Sequence, residues 1–197
     1  MPRCVATQSK EMMENRPHKF PVATISVLTF TAIVTLPQFA YPPVLAALRR
    51  SPEILTQHQW WRLITPLFVH NDGWPQIVAL FPAILVVGTL AERLFGSQRW
   101  LWIYFVCGFV GELAGCAWKP IGAGSSVAVA GLLGALAVWL IFANRQRQAL
   151  AGGLFILFGA VALTLFRDLH GPPILVGACL GWVMLRSQTS IAQVSRS

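Results

Sequence analysis

The sequence predicts an all-α integral membrane protein, a bundle of six transmembrane helices. Hydrophobic residues make up 55% of the 197 residues and charged residues 11%, against roughly 25% charged residues in a soluble domain. Six apolar stretches follow one another, most of them near the length of about 20 residues that spans a bilayer. The basic residues fall in ones and twos between these stretches, as they do beside membrane spans.

The predicted spans lie at residues 20–40, 77–94, 100–118, 126–143, 149–166 and 170–185. They form one domain over residues 20–186, with an N-terminal tail at 1–19 and a C-terminal tail at 187–197. A cleaved signal peptide is an alternative for the first stretch, but that stretch is long enough to span, which favours an uncleaved helix. Pro82 inside the second span predicts a kink.

The positive charges predict the orientation of the bundle. With both tails in the cytoplasm, ten of the 15 Lys and Arg residues lie on the inner side and five on the outer side. The sequence therefore favours a multi-pass protein of the plasma membrane, partnered by the lipid bilayer, over a nucleic-acid-binding protein. Tryptophans near the span ends are expected to be interfacial anchors; they are Trp60, Trp61, Trp74, Trp100 and Trp118.

The segment between the first two spans, residues 41–76, is long and rich in Trp and Pro. Its apolar pieces predict short helices that lie partly in the outer leaflet. The four cysteines show no CxxC spacing and mostly sit in apolar runs, which favours buried small side chains over a disulfide framework or a zinc site. Neither a metal nor an organic cofactor is predicted.

A serine and a histidine each head a stripe of small residues. The stripes are Ser126, Ala130 and Gly134 in the fourth span, and His170, Gly177 and Gly181 in the sixth. Small helix faces allow close approach, and both helices enter from the outer side, so packing them together would bring Ser126 to His170. A serine hydroxyl needs a base within hydrogen-bond reach, and a neutral imidazole suits that role. Taken singly, Ser126 could cap its helix and His170 could be an interfacial polar residue.

Five motifs in order resemble the rhomboid intramembrane serine proteases. The match runs from residue 60 to residue 181. The motifs are Trp61-Arg62 followed by His70, Gly88-x-x-x-Glu92-x-x-x-Gly96, Gly124-Ser125-Ser126, Gly131 with Gly134, and His170 followed by Gly177 and Gly181. The resemblance implies a rhomboid-like bundle of six spans with a membrane-embedded first loop.

The resemblance also implies a function, which is hydrolysis of a peptide bond in or beside a transmembrane segment of a substrate protein. Ser126 would be the nucleophile and His170 the base. The expected oxyanion and substrate-loop residues are His70, Gln76, Gly124 and Ser125. The expected structural residues are Trp61, Arg62, Glu92, Gly131, Gly134, Gly177 and Gly181. The oligomeric state is left open.

Several positions depart from the family pattern. Val127 stands where the family favours Gly, Ala130 where an aromatic residue often supports the histidine ring, and Pro173 where Gly is usual. Gln76 replaces a second histidine of the first loop, and Leu80 replaces an oxyanion asparagine. Losing one such side-chain donor costs on the order of 10²–10³ in rate. A catalytically impaired rhomboid-like protein that binds or escorts membrane helices is therefore the alternative function.

Two acidic residues have other interpretations. Glu112 lies inside the third span and is expected to be structural rather than catalytic. A small transporter with Glu112 and His170 on a proton path is a further alternative, against which the lack of an inverted repeat argues. Asp168 lies two residues before His170, on a different face if that segment is helical, so no triad acid is assigned. The family works with a Ser–His dyad.

Overall fold

A computed structural model of the chain describes residues 20–144 and 146–194, with side chains described as far as residue 187. This part is almost entirely helical and contains no strand, only an isolated bridge between Arg50 and Gly122. Two 3₁₀ turns, Trp60–Leu63 and Thr65–Phe68, follow the third helix. The helices are α1 (Val22–Ala40), α2 (Pro43–Leu48), α3 (Glu53–Thr56), α4 (Trp74–Phe95), α5 (Ser97–Trp118), α6 (Ser126–Phe142), α7 (Arg147–Leu165) and α8 (Gly171–Val194).

Several of these helices are suited to a membrane. In the described part, α1, α4, α5 and α7 are long and apolar enough to cross a bilayer, and α6 is apolar but has 17 residues. Each of the six predicted spans overlaps one of α1, α4, α5, α6, α7 and α8. The all-α membrane fold class is therefore confirmed, whereas the crossing of the bilayer by all six helices stays a prediction. The predicted tail at 1–19 lies outside the described residues.

The last helix differs from its predicted span. Helix α8 continues to Val194, eight residues past the predicted domain boundary at residue 186. The segment 186–194 contains neither Gly nor Pro, so nothing in its composition stops the helix where the apolar run ends. The placement of residues 187–197 in the cytoplasm stays a prediction.

Helix α6 is the centre of the bundle. It packs against α5, α7 and α8, and eleven of its 17 residues are buried. Its contact with α8 is made through glycines, because a Cβ on Gly134 would collide with the Ile174 carbonyl and one on Gly177 with the Gly131 carbonyl. The two small-residue stripes thus pack backbone against backbone, which fixes the height of α8 beside α6.

A kink was predicted at Pro82, and the structure has a π-helical turn after this proline. Residues Ile84–Gly88 form this turn inside α4, directly after the proline. Proline has no N–H to donate to the preceding helical turn, and a π turn is one way for a helix to absorb that gap. Further along α4, Glu92 accepts hydrogen bonds from the backbone N–H groups of Ala23 and Thr24 at 2.9 and 2.8 Å. The end of α4 therefore caps the start of α1.

A buried ion pair ties the first loop to α5. Arg50, in the segment between α2 and α3, pairs with Glu112, and both side chains are at most 3% exposed. The Arg50 Nε–H also donates to the Lys119 carbonyl at 3.0 Å, and the Arg50 and Gly122 backbones bond to each other. Glu112 therefore has a structural partner.

Two predictions about apolar side chains are wrong. Trp100 was expected to be an interfacial anchor, but it is fully buried and stacks on Tyr104 with ring centroids 5.0 Å apart. Cys179 was expected to be buried, but it is exposed on α8, whereas Cys107 is buried. An apolar run shows neither which face of a helix is inside nor which tryptophan faces lipid. Trp60 and Trp61 are about half exposed, as expected of anchors.

Candidate active site

Ser126 is the first residue of α6, and the loop before it is held in one conformation. Gly124 has a φ of +149°, and a Cβ at this position would collide with the Gln76 side-chain amide. Its N–H donates to the Pro66 carbonyl at 2.9 Å. Gly124 therefore fits here for two reasons, its backbone conformation and the lack of room for a side chain. Ser125 directly precedes α6, and its side chain is buried.

His170 stands directly before α8, after a sharp turn that ends α7. Arg167 adopts a left-handed conformation with φ +56°, although glycine is the usual residue there. The Arg167 N–H donates to the Thr164 carbonyl and the Asp168 N–H to the Leu163 carbonyl, the two bonds of a Schellman motif. The chain therefore leaves α7 as a defined turn, and His170 is held at the start of α8.

The structure brings Ser126 and His170 together. The His170 Nε2 lies 3.0 Å from the Ser126 Oγ, and both residues are partly exposed. The other ring nitrogen, Nδ1, lies 2.7 Å from the Asp168 Oδ1, which also accepts the His170 backbone N–H at 2.9 Å. A hydroxyl, an imidazole and a carboxylate thus form one chain of hydrogen bonds, an arrangement in which the imidazole can take the serine proton.

No role was assigned to Asp168 from the sequence because it would lie on a different face from His170 if their segment were helical. The segment 166–170 is a turn, and Asp168 uses its side chain to bond the N–H two residues on, as Asp does in Asx turns. One signal could have found it. Pro172 and Pro173 suit only the first turn of a helix, so the residues before Gly171 are expected to lie outside α8.

Asp168 is charged in this setting. Burial acts to raise the pKa of its carboxyl, but the hydrogen bonds from His170 and the nearby charges of His170 and Lys119 outweigh burial and lower the pKa below its ordinary value. The Lys119 Nζ lies 3.6 Å from Asp168 Oδ2, the oxygen that does not contact the histidine. At neutral pH a carboxylate therefore faces the imidazole.

Gln76, at the start of α4, lies beside the serine. Its Nε2 donates to the Ala123 carbonyl at 3.0 Å, and its Oε1 accepts the Asp72 N–H at 3.0 Å. An ideal Cβ on Gly124 would lie against Gln76 Nε2 and 3.7 Å from Ser126 Oγ, so the amide and the hydroxyl flank this glycine. The amide nitrogen carries a second N–H that can donate to a ligand.

His70 is held against α1. It is fully buried, with Nδ1 2.9 Å from the Thr35 hydroxyl, while its backbone exchanges two hydrogen bonds with the Gln38 side chain. Burial lowers the pKa of His70 to about 4. These contacts make His70 a neutral residue that joins the first loop to α1.

The remaining predicted loop residues hold the first loop together. The Arg62 Nη1 donates to the carbonyls of Ala46 and Arg49 at 2.7 and 2.8 Å. The Trp61 ring is about half exposed, and its Nε1–H donates to the Ala47 carbonyl at 3.4 Å. These bonds join the second half of the loop to α2 and the residue after it.

At two positions that depart from the family pattern, Leu80 and Ala130, the side chains pack in the interior of the bundle. Leu80 is buried beside Ile84 and Val129, and Ala130 is buried beside Ala160 and Ile174. Neither side chain can donate a hydrogen bond or support a ring. These two positions therefore offer no side-chain donor, whereas the Gln76 amide lies beside Gly124.

The family profile of the Rhomboid domain matches residues 57–187. The chain belongs to the rhomboid family. This confirms the family that the sequence motifs predicted, and, with the membrane-capable helices, it makes the chain a multi-pass membrane protein.

Similar rhomboid proteins come from bacteria and plants. The chain is 38% identical over 94 residues to "Rhomboid protease GluP" of Bacillus subtilis (strain 168), a match covering 47% of this chain and 18% of that protein. It is 30% identical over 90 residues to "Putative rhomboid protease YdcA" of the same organism, covering 44% and 45%. It is 32% identical over 99 residues to "RHOMBOID-like protein 1" of Arabidopsis thaliana, covering 47% and 25%. The chain thus spans less than half the length of each of these relatives.

Proposed function

We propose that this chain is an intramembrane serine endopeptidase that cleaves transmembrane or juxtamembrane segments of membrane proteins with Ser126 as nucleophile and His170 as base. The observation that carries the proposal is the 3.0 Å contact between Ser126 Oγ and His170 Nε2 at the adjoining starts of α6 and α8. Membership of the rhomboid family, with relatives named as proteases, supports the same reaction class. Neither a metal nor an organic cofactor has a part in this reaction.

The proposed reaction has two halves. Ser126 Oγ attacks the scissile carbonyl carbon while its proton passes to His170 Nε2. The tetrahedral intermediate then collapses, the C–N bond breaks, and the same proton goes to the leaving amine. This leaves an ester on Ser126. A water molecule attacks the ester, gives its proton to His170, and the acyl group leaves as a carboxylic acid while Ser126 regains its proton.

Main-chain groups stabilise the developing oxyanion in this proposal. Ser126 opens α6, so its N–H has no partner in a preceding helical turn and lies at the positive end of the helix dipole. The second N–H of the Gln76 amide is the side-chain donor, because Leu80 has none to offer. A site with fewer side-chain donors is slower by on the order of 10² for each donor lost. We therefore expect a slow enzyme rather than an inert one.

The environment of the substrate follows from the bundle. With the protein in the plasma membrane and its N-terminus in the cytoplasm, α6 and α8 begin at the outer face. Water and the substrate then reach the site from that face. A substrate helix must unwind locally before the attack, because a helical peptide bond is shielded by its own hydrogen bonds. The preferred substrate is thus a membrane segment with a weak helix near the outer surface.

A fluorophosphonate probe tests the nucleophile directly. Such probes phosphonylate an activated serine, forming an O–P bond with loss of fluoride, so the detergent-solubilised chain should be labelled, while Ser126→Ala and His170→Ala should not. Ser187→Ala is the matched control, since this serine is exposed on α8 and bonds only to the Met184 carbonyl among its described contacts. A folded wild-type chain that resists labelling, or a Ser126→Ala variant that still reacts, contradicts the proposal. The first result would favour a non-catalytic rhomboid-like protein.

Peptide-bond cleavage needs a separate assay. A tagged single-span reporter co-expressed with the wild-type chain should yield a shortened fragment, and Ser126→Ala should yield none. Labelling without cleavage of any of several reporters would leave an activated serine but contradict the endopeptidase assignment.

A further inference from the structure

We infer that Asp168 is a positioning residue for His170, so that this chain aligns its base with a carboxylate in a Ser126–His170–Asp168 arrangement. The inference rests on the proposed function, in which His170 is the base. It goes beyond that function because the proposed dyad assigns no third residue.

The geometry of Asp168 is that of an orienting acid. A single oxygen, Oδ1, lies 2.7 Å from His170 Nδ1 and also accepts the His170 backbone N–H at 2.9 Å. The ring and the main chain of one residue are thus held by one carboxylate oxygen. The bond from Nδ1–H leaves the lone pair on Nε2, the nitrogen 3.0 Å from Ser126 Oγ, which is the tautomer that can accept the serine proton.

The turn that carries Asp168 is itself fixed. The Schellman bonds at the end of α7 hold its backbone, and Lys119, at the end of α5, holds the second oxygen at 3.6 Å. Gly171 packs so closely on α7 that a Cβ would collide with Thr164. The carboxylate therefore has little freedom to leave the imidazole.

The histidine also has no aromatic support from α6. Ala130, one turn after Ser126, presents only a methyl group, which is buried beside Ala160 and Ile174. Among the described residues no aromatic ring stacks on this partly exposed imidazole, so another group must fix its orientation, and Asp168 supplies one. The carboxylate also stabilises the imidazolium formed when the serine proton is transferred.

The test uses the isosteric variant Asp168→Asn in the full-length chain in detergent. Asparagine keeps an oxygen for the His170 backbone N–H, so the turn stays, but it removes the charge. The rate of fluorophosphonate labelling should fall on the order of 10²-fold, the lower end of what a general base contributes. Arg167→Gln is the matched control, because it changes a charge in the same turn and its side chain is exposed. It should label at the wild-type rate.

Nitrogen-15 NMR of the chain labelled at its four histidines reports the tautomer of His170. A purely structural role of Asp168 would leave that tautomer unchanged in Asp168→Asn. The His170 signals, assigned by their loss in His170→Asn, should show Nδ1–H with an unprotonated Nε2 in the wild type and a mixture of tautomers in Asp168→Asn. Labelling of Asp168→Asn at the wild-type rate, or an unchanged tautomer in that variant, overturns the positioning role and leaves the proposed function standing. Failure of the folded wild type to label overturns the proposed function, and the positioning role with it.

Discussion

The contact between α6 and α8 sets the separation of Ser126 and His170, and Gly177→Ala tests this directly. An ideal Cβ on Gly177 would lie 2.7 Å from the Gly131 carbonyl carbon and nearer still to its oxygen. Carbon atoms pack best at about 3.5–4.0 Å, so α8 must move away from α6 by about 1 Å. That movement would stretch the 3.0 Å contact between Ser126 Oγ and His170 Nε2 beyond hydrogen-bond length.

The expected cost of this substitution has two parts. Overpacking a close helix contact destabilises by about 1–3 kcal/mol, which thermal unfolding in detergent measures. A misplacement of about 1 Å between reacting groups lowers the rate by about 10²-fold, which the rate of fluorophosphonate labelling measures at a temperature where the variant is folded. The labelling rate of the folded variant should therefore be lower than that of the folded wild type, beyond any loss caused by unfolded molecules.

Gly159→Ala is the control for this prediction. Gly159 also lies inside a helix, but a Cβ there would meet nothing within 4 Å. Alanine is the better helix former, so this variant should be as stable as the wild type or more stable by about 0.5–1 kcal/mol, and should label at the same rate. A Gly177→Ala variant that labels like the wild type would show that the glycine contact does not set the separation of Ser126 and His170.

Two further predictions concern buried ionisable groups. Because burial lowers the pKa of His70 from its ordinary 6.5 to about 4, the unfolded chain binds a proton in this range that the folded chain does not. The free energy of unfolding should therefore fall by about 3 kcal/mol as the pH drops from about 6.5 to 4. In a plot of Tm against pH, His70→Gln should flatten this part of the curve. Parallel curves for the variant and the wild type would refute this. Glu112→Gln leaves Arg50 buried without its counter-ion and should destabilise by about 3–5 kcal/mol, whereas a double change to Arg50→Met and Glu112→Leu should cost less. Equal Tm values for Glu112→Gln and the wild type would contradict this account of the ion pair.

The positions of the long helices could be predicted because hydropathy is a local property of the sequence. The stripes of small residues also carry information about packing, since a serine and a histidine that head two such stripes were expected to meet, and the structure has them 3.0 Å apart. Helix ends were less predictable. Helix α8 passes the end of its apolar run because its polar residues are compatible with a helix.

Contacts between distant residues could not be read from local patterns. Arg50 was counted among the charges of an outer loop, yet it is buried against Glu112, 62 positions away. Asp168 was set aside because it would lie on a different face from His170 if the segment were helical. Arg167 gives no sign of the left-handed turn that it adopts, a conformation usually marked by Gly or Asn. Arg50 thus met a partner that only helix packing brings near, whereas Asp168 met His170 through a local turn.

The departures from the family pattern need not reflect decay of the site. Val127 stands where the family favours Gly, and it is buried against Gly111. A Cβ on Gly111 would collide with the valine. A larger residue on α6 is thus matched by a smaller one on α5. Ala130 removes an aromatic support, but the Asp168 carboxylate contacts the imidazole at Nδ1. Leu80 removes a donor, while Gln76 keeps an amide beside Gly124. Restoring the family residue at one such position should not raise the rate of fluorophosphonate labelling. Val127→Gly would leave a cavity beside Gly111. This variant should be less stable by about 1–3 kcal/mol, and its Ser126 should not be labelled faster than in the wild type.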